Sequence, residues 1–237
     1  MIDWVGFDAD DTLWHSEVHF QAAHAEFERI IGGYVDLADA GLHERLLATE
    51  RRNIQLFGYG AKGMALSMIE TAVELTGERI AAADVHRIVG LCKDILTHPV
   101  ELLPGVREAV AEVASERHVV MITKGDLFHQ ERKVRDSGLA GLFHRIEIVS
   151  EKDSATYARL LDEFGAKPER FAMVGNSLRS DIEPVVRLGG YGVHMPYVVI
   201  WALEAEHGLS EGHARVIEVS APAGVPAAVR ALAGRVG

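Results

Sequence analysis

The side chains best suited to chemistry stand where apolar runs end. Near the N-terminus, Trp4-Val5-Gly6-Phe7 gives way to Asp8-Ala9-Asp10-Asp11-Thr12, the pattern of a buried strand delivering carboxylates to a sheet edge. Residues two apart on an extended chain point to the same side, roughly 6–7 Å from each other. Asp8 and Asp10 therefore face one site together. Three carboxylates packed into four residues repel one another, so a cation or a permanent partner is implied. The plainer reading is an acidic turn with Asp11-Thr12 starting a helix, and the rest of the chain weakens it.

Three later runs end in the same way. Val119-Val120-Met121-Ile122 closes on Thr123 and Lys124, Ile146-Glu147-Ile148-Val149 leads to Lys152, and Phe171-Ala172-Met173-Val174 leads to Asn176 and Asp181. Each has a modest explanation by itself. Thr123 could finish a strand, Lys152 could be a solvated residue at a helix start, and Asp181 could cap a helix near Ile182. The site vanishes only if every one of these holds at once. Lys167 competes for the role of Lys152, but it precedes Pro168 in a helix-to-strand loop, at the other end of the sheet.

The elements that must position these groups follow from periodicity. Strands are expected at 4–7, 118–123, 145–149, 171–174, 191–194 and 215–219, the last after a less regular stretch. Helices fall between them at about 106–116, after Asp126, at 155–164, 180–188 and 225–232. Strands alternating with helices imply right-handed crossovers and a parallel sheet covered on both faces. The expected fold class is α/β, a doubly wound parallel sheet, and in such sheets ligands sit beyond the carboxyl ends of the strands. One block interrupts the alternation. Residues 15–100 show no convincing strand and read as four helices, one from Ser16 as N-cap to Gly32-Gly33, then Ala38–Gln55, Met64–Thr76 and Ala82–Thr97. The expected division is a core of 1–14 and 101–237 with a helical insert at 15–100.

Composition bounds the partners. The 237 residues are 48% apolar and 25% charged, ordinary for a globular chain that can build a core. A formal charge of −11, with no basic run longer than Arg51-Arg52, argues against nucleic acid or an anionic membrane surface. Neither a leader-like segment nor an apolar run of ~20 residues is present, so a cytoplasmic location is expected. The single cysteine, Cys92, reads as a small buried residue on a helix face.

Four motifs together resemble the haloacid dehalogenase superfamily. They are Asp8-Ala9-Asp10-Asp11-Thr12-Leu13, where that family usually shows Asp-x-Asp-Gly-Thr; Thr123; Lys152; and Gly175-Asn176-Ser177-Leu178-Arg179-Ser180-Asp181, similar to Gly-Asp-Ser-x-x-x-Asp. A helical cap inserted after the first motif is also a trait of the family. Two departures stand out: Asp11 replaces a glycine and Asn176 replaces an acid.

The resemblance implies a Rossmann-like core and a phosphatase acting on a small phosphorylated metabolite. Asp8 would attack phosphorus to form an aspartyl-phosphate, and Asp10 would protonate the leaving oxygen and then activate water. The implied cofactor is Mg²⁺, a hard ion suited to carboxylates and phosphate. Its implied ligands are the Asp8 carboxylate, the Asp10 backbone carbonyl and Asp181, with Asn176 in support. Thr123 and Lys152 would hold the transferring group, with Lys124, His15 and Lys62 as further substrate-binding candidates. The other activities of this superfamily are alternatives: carbon–halogen hydrolysis, disfavoured by the acid at Asp10; phosphonate cleavage, which would want a cap lysine such as Lys62; and phosphate transfer between sugar positions. A phospho-accepting signalling module also combines acids, a Thr and a Lys, but has no place for so large an insert.

Other patterns carry less. Gly58-Tyr59-Gly60-Ala61-Lys62-Gly63 matches the dinucleotide fingerprint by letter, yet a charged helical stretch precedes it instead of a strand. It reads as a cap loop. His15 and His19 lie at i, i+4 without a third ligand nearby in sequence, which describes a polar helix face.

Overall fold

A computed structural model describes residues 1–199, 201 and 213–235. Six strands form one sheet in the order β3-β2-β1-β4-β5-β6: β1 Trp4–Phe7, β2 His118–Lys124, β3 Arg145–Val149, β4 Phe171–Gly175, β5 Tyr191–His194 and β6 Val216–Glu218. Every pairing is parallel. The expected irregular stretch before β6 lies largely outside the described residues.

Side-chain alternation explains how the sheet is buried on both faces. Val119, Met121, Ala172 and Val174 join Val5 and Phe7 in a core roofed by α6 (Val106–Ala114) and α10 (Val225–Ala233). Their neighbours Val120, Ile122, Phe171 and Met173 enter a second core with α8 (Ser154–Phe164) and α9 (Glu183–Arg187). Gly6 sits between: a Cβ there would lie 2.7 Å from both Met173 Sδ and the Phe171 ring. β1 is central, with β2 on one side and β4 on the other, so strand order reverses beside it and the carboxyl ends of β1 and β4 flank the crevice.

The chain divides into two compact units, Met1–Ser16 with Val100–Lys124 and Gln130–Gly237, and Glu17–Pro99 with Gly125–His129. The second unit has its own core around Phe27, Ile31, Met68 and Ile88. Its helices are α1 Glu17–Ile31, α2 Leu37–Ala40, α3 Leu42–Phe57, α4 Ala61–Thr76 and α5 Ala82–Thr97. The expected helix over Ala38–Gln55 is therefore two helices. Gly41 adopts φ 57°, a left-handed conformation that ends α2 and redirects the chain into α3. Gly58 and Gly60 also have positive φ between α3 and α4, so the fingerprint-like letters form a helix–helix turn at 58–60 and the first residues of α4. Cys92 is buried. Among the described residues no helix is long and apolar enough to cross a membrane.

Candidate active site

β1 ends at Phe7, in register with Met121 of β2 and Val174 of β4, and the Asp8 N–H donates to the Val174 carbonyl at 2.9 Å. This pairing fixes Asp8 at the crevice. Its Oδ1 accepts a short hydrogen bond from Lys152 Nζ, and the same ammonium donates to Asp181 Oδ1 at 2.8 Å. The Lys152, Asp8 and Asp181 side chains are 2%, 9% and 1% exposed. One buried cation thus serves two buried anions. Burial pushes the Asp8 carboxyl up to about 7, against the pull of Lys152 and with the repulsion of Asp181. Burial alone would lower Lys152, but the charges of Asp181 and Asp8 outweigh it and hold the ammonium well above its usual range.

The fourth strand reaches this group through an unusual turn. A helix over 180–188 was expected from the sequence; instead a π-type turn at Leu178–Ile182 precedes α9. Ser177 caps it, its side chain accepting from the Ser180 N–H, while the Ser177 N–H donates to Asp181 Oδ2 at 3.0 Å. The wider turn lays Asp181 back over the strand end. A Cβ on Gly175 would lie 2.2 Å from Asp181 Oδ2, so glycine is required there by space. Asn176 joins the first motif: its N–H donates to Thr12 Oγ1 at 3.1 Å, and the Thr12 hydroxyl lies 3.1 Å from Asp8 Oδ2 and 3.3 Å from Asn176 Oδ1.

Asp11 has φ 61°, where the family pattern has glycine. Its Oδ1 accepts from the Ser16 N–H at 2.9 Å, just before α1, so the side chain caps the start of a helix while the backbone makes the turn.

Asp10 is held by residues outside the four motifs. Trp14 Nε1 donates to Oδ1 at 2.6 Å, Lys133 Nζ lies 2.6 Å from Oδ1 and 2.7 Å from Oδ2, and Gln130 Nε2 reaches Oδ2 at 3.1 Å. Both carboxyl oxygens of Asp10 thus accept from side-chain donors. Gln130 Nε2 also donates to Thr123 Oγ1 at 2.6 Å and to the Lys124 carbonyl at 3.1 Å. Lys124 Nζ donates to Ser180 Oγ at 2.8 Å. Gln130 and Lys133 lie three apart on α7 (Leu127–Ser137), a spacing that puts both on one helix face. That spacing was the available signal, but polar residues so spaced usually mark a solvated face.

Asp8, Asp10, Thr123, Lys124, Lys152, Asn176 and Asp181 are therefore linked in one hydrogen-bonded network at the carboxyl ends of β1, β2 and β4 and just beyond β3. His15 Nδ1 lies 2.6 Å from the Tyr197 hydroxyl in the same unit. Lys62 belongs to the other unit, where it pairs with Asp126 at 2.7 Å.

Among the described residues no three His, Cys, Asp or Glu side chains form a metal-holding group, so any cation would need backbone or amide oxygens as well. The donor set still suits a hard divalent ion. Asp8 and Asp181 both bond the one Lys152 ammonium, which brings together carboxyl oxygens of the kind a hard ion takes.

A family model described as haloacid dehalogenase-like hydrolase matches residues 2–189, and the chain belongs to that family of hydrolases. A crystal structure of a haloacid dehalogenase-like family hydrolase from Xanthomonas campestris is 56% identical, over 100% of this chain and 94% of its own, with a TM-score of 0.88. More distant neighbours share the fold. A 2-haloacid dehalogenase from Pseudomonas syringae pv. Tomato DC3000 is 16% identical, covering 98% and 99% of the two chains, with a TM-score of 0.63. A Thermotoga maritima protein assigned as a β-phosphoglucomutase is 18% identical, covering 98% and 100%, with a TM-score of 0.60. No curated protein matches the sequence. Since one fold hosts such different chemistries, the activity must be argued from the side chains.

Proposed function

We propose that this hydrolase is a Mg²⁺-dependent phosphatase that cleaves a small phosphate monoester through an aspartyl-phosphate on Asp8. The observation that carries the reading is the pairing of a buried nucleophile-type carboxylate, Asp8, with a second, separately held carboxylate, Asp10, two residues away. Displacement of halide needs no proton for its leaving group. Expulsion of an alkoxide does, and Asp10 supplies a group for it.

In this reading an Asp8 oxygen attacks phosphorus, the bond from phosphorus to the ester oxygen breaks, and Asp10, entering the cycle protonated, gives that oxygen its proton. Asp10 then takes a proton from water, the resulting hydroxide attacks phosphorus, and the bond to Asp8 breaks to release inorganic phosphate. Gln130 donates to the Thr123 hydroxyl, which leaves the hydroxyl hydrogen to meet a phosphoryl oxygen. Lys152 and Lys124 supply positive charge on the same side. Asp8, the Asp10 carbonyl, Asp181 and Asn176 would hold Mg²⁺, which when bound offsets the charge of the phosphate and the carboxylates. The chain's own charge of −11 favours a small ligand over nucleic acid.

Phosphate release from p-nitrophenyl phosphate and from a panel of alkyl phosphates tests the reading. Activity should require Mg²⁺, stop on chelation and be lost in Asp8→Asn. Release of halide from 2-haloacids without phosphatase activity would replace it.

A further inference from the structure

We infer that Gln130 and Lys133 are positioning residues for Asp10, and that one amide, that of Gln130, couples Asp10 to the Thr123 hydroxyl. The kinetic consequence rests on the phosphatase reading; the geometric claim does not.

Asp10 lies just past a strand end, and its side chain is 30% exposed. A carboxylate so placed has rotamer freedom unless something holds it. Three donors do. The Trp14 indole, fully buried, fixes one edge of Oδ1. Lys133, whose side chain is 10% exposed, spans both oxygens. Gln130, 2% exposed, donates to Oδ2.

Acceptor-only neighbours settle the orientation of the Gln130 amide. The Lys124 carbonyl can only accept, so the NH₂ end must face it, with Asp10 Oδ2 on the same side. That end also meets Thr123 Oγ1, and two amide hydrogens are shared among three acceptors. A movement of Asp10 is thereby felt at Thr123. On the phosphatase reading, the cluster joins the group that handles the proton to the group facing the phosphoryl oxygens.

The test uses the full chain and two readouts. In the first, the indole N–H of Trp14 is followed by ¹H–¹⁵N NMR. The chain has three tryptophans, and Trp14→Phe assigns the resonance. A carboxyl acceptor at 2.6 Å places this proton downfield, and Asp10→Asn moves it upfield. Lys133→Met and Gln130→Leu should each move it in that direction, with Lys133→Arg restoring it. An unmoved resonance in a folded Lys133→Met overturns the geometric claim whatever the protein's activity. Should Lys133→Met not fold, Lys133→Gln serves the same purpose.

The second readout is kcat/KM on an alkyl and an aryl phosphate. This ratio reports events up to transfer to Asp8, where only the alkyl leaving group needs a proton. Lys133→Met should lower it about 100-fold on the alkyl ester, the scale of general-acid catalysis, and only a few-fold on the aryl ester, with rescue by Lys133→Arg. Equal losses on both esters, without rescue, would make the residue merely structural. A moved Trp14 resonance in a protein that releases no phosphate from either ester leaves the positioning role standing and removes the phosphatase reading.

Discussion

Lys152 Nζ lies 2.8 Å from Asp181 Oδ1, with 2% and 1% of the two side chains exposed, while the same ammonium also binds Asp8. A lysine that holds two buried carboxylates acts as their common counter-ion, and its loss strands both. Lys152→Met should abolish turnover and destabilise the protein by about 3–5 kcal/mol, the scale for breaking a buried pair. Asp8→Asn in the same chain should recover part of that loss, because one stranded charge is removed. Urea unfolding of the two single variants and the double variant measures the coupling; additive effects would contradict it.

The raised carboxyl of Asp8 gives stability a particular pH dependence. Its folded value of about 7 stands above the ordinary 3.8, so between these values the folded state keeps a proton that the unfolded chain has released. The contribution is fully present below the lower value and is lost as pH rises through the upper one, on the order of a few kcal/mol at most. In metal-free buffer, the melting temperature of Asp8→Asn minus that of the native protein should grow over this window and level off above it. Adding Mg²⁺ should narrow the difference by stabilising the ionised native site. A difference independent of pH would remove the assignment.

Gly175 is required for room. With a Cβ 2.2 Å from Asp181 Oδ2, Gly175→Ala must displace the carboxylate or the turn that carries it. The expected cost is about 1–3 kcal/mol, as for overpacking elsewhere, together with loss of activity. Thermal unfolding and phosphate release read both; a stable, fully active variant would show that Asp181 need not stay where it is.

At Asp11 two effects oppose. Glycine would relieve the left-handed backbone by about 1 kcal/mol but forfeit the cap on Ser16, also worth about 1 kcal/mol. Asp11→Gly should therefore be nearly neutral in unfolding experiments. Asp11→Ala keeps the strain and loses the cap, and should be the less stable variant. The reverse order would mean that the cap contributes nothing.

What the sequence disclosed is the part written in short-range order. Asp8, Thr123, Lys152 and Asp181 follow apolar runs, and each run became a parallel strand with its polar end in the crevice. Gly41 shows where local reading failed. The apolar spacing continued through it, while the left-handed backbone ended one helix and began another. Asp181 was legible as a residue but its turn was not, since nothing in Leu178–Ile182 distinguishes a π-type turn from an α-helical one. Trp14, Gln130 and Lys133 were missed for a different reason. A buried Lys or Gln has the same letter as an exposed one, and only the meeting of α7 with the end of β1 decides which it is.

The most direct test is to mix the protein with Mg²⁺ and a rapidly cleaved phosphate ester, quench in acid within the first turnover, and map the modified peptide by mass spectrometry. One added phosphoryl group is expected on Asp8, decaying as inorganic phosphate appears and absent from Asp8→Asn. Steady release of phosphate with Asp8 never modified, or undiminished release by Asp8→Asn, would contradict the aspartyl-phosphate route.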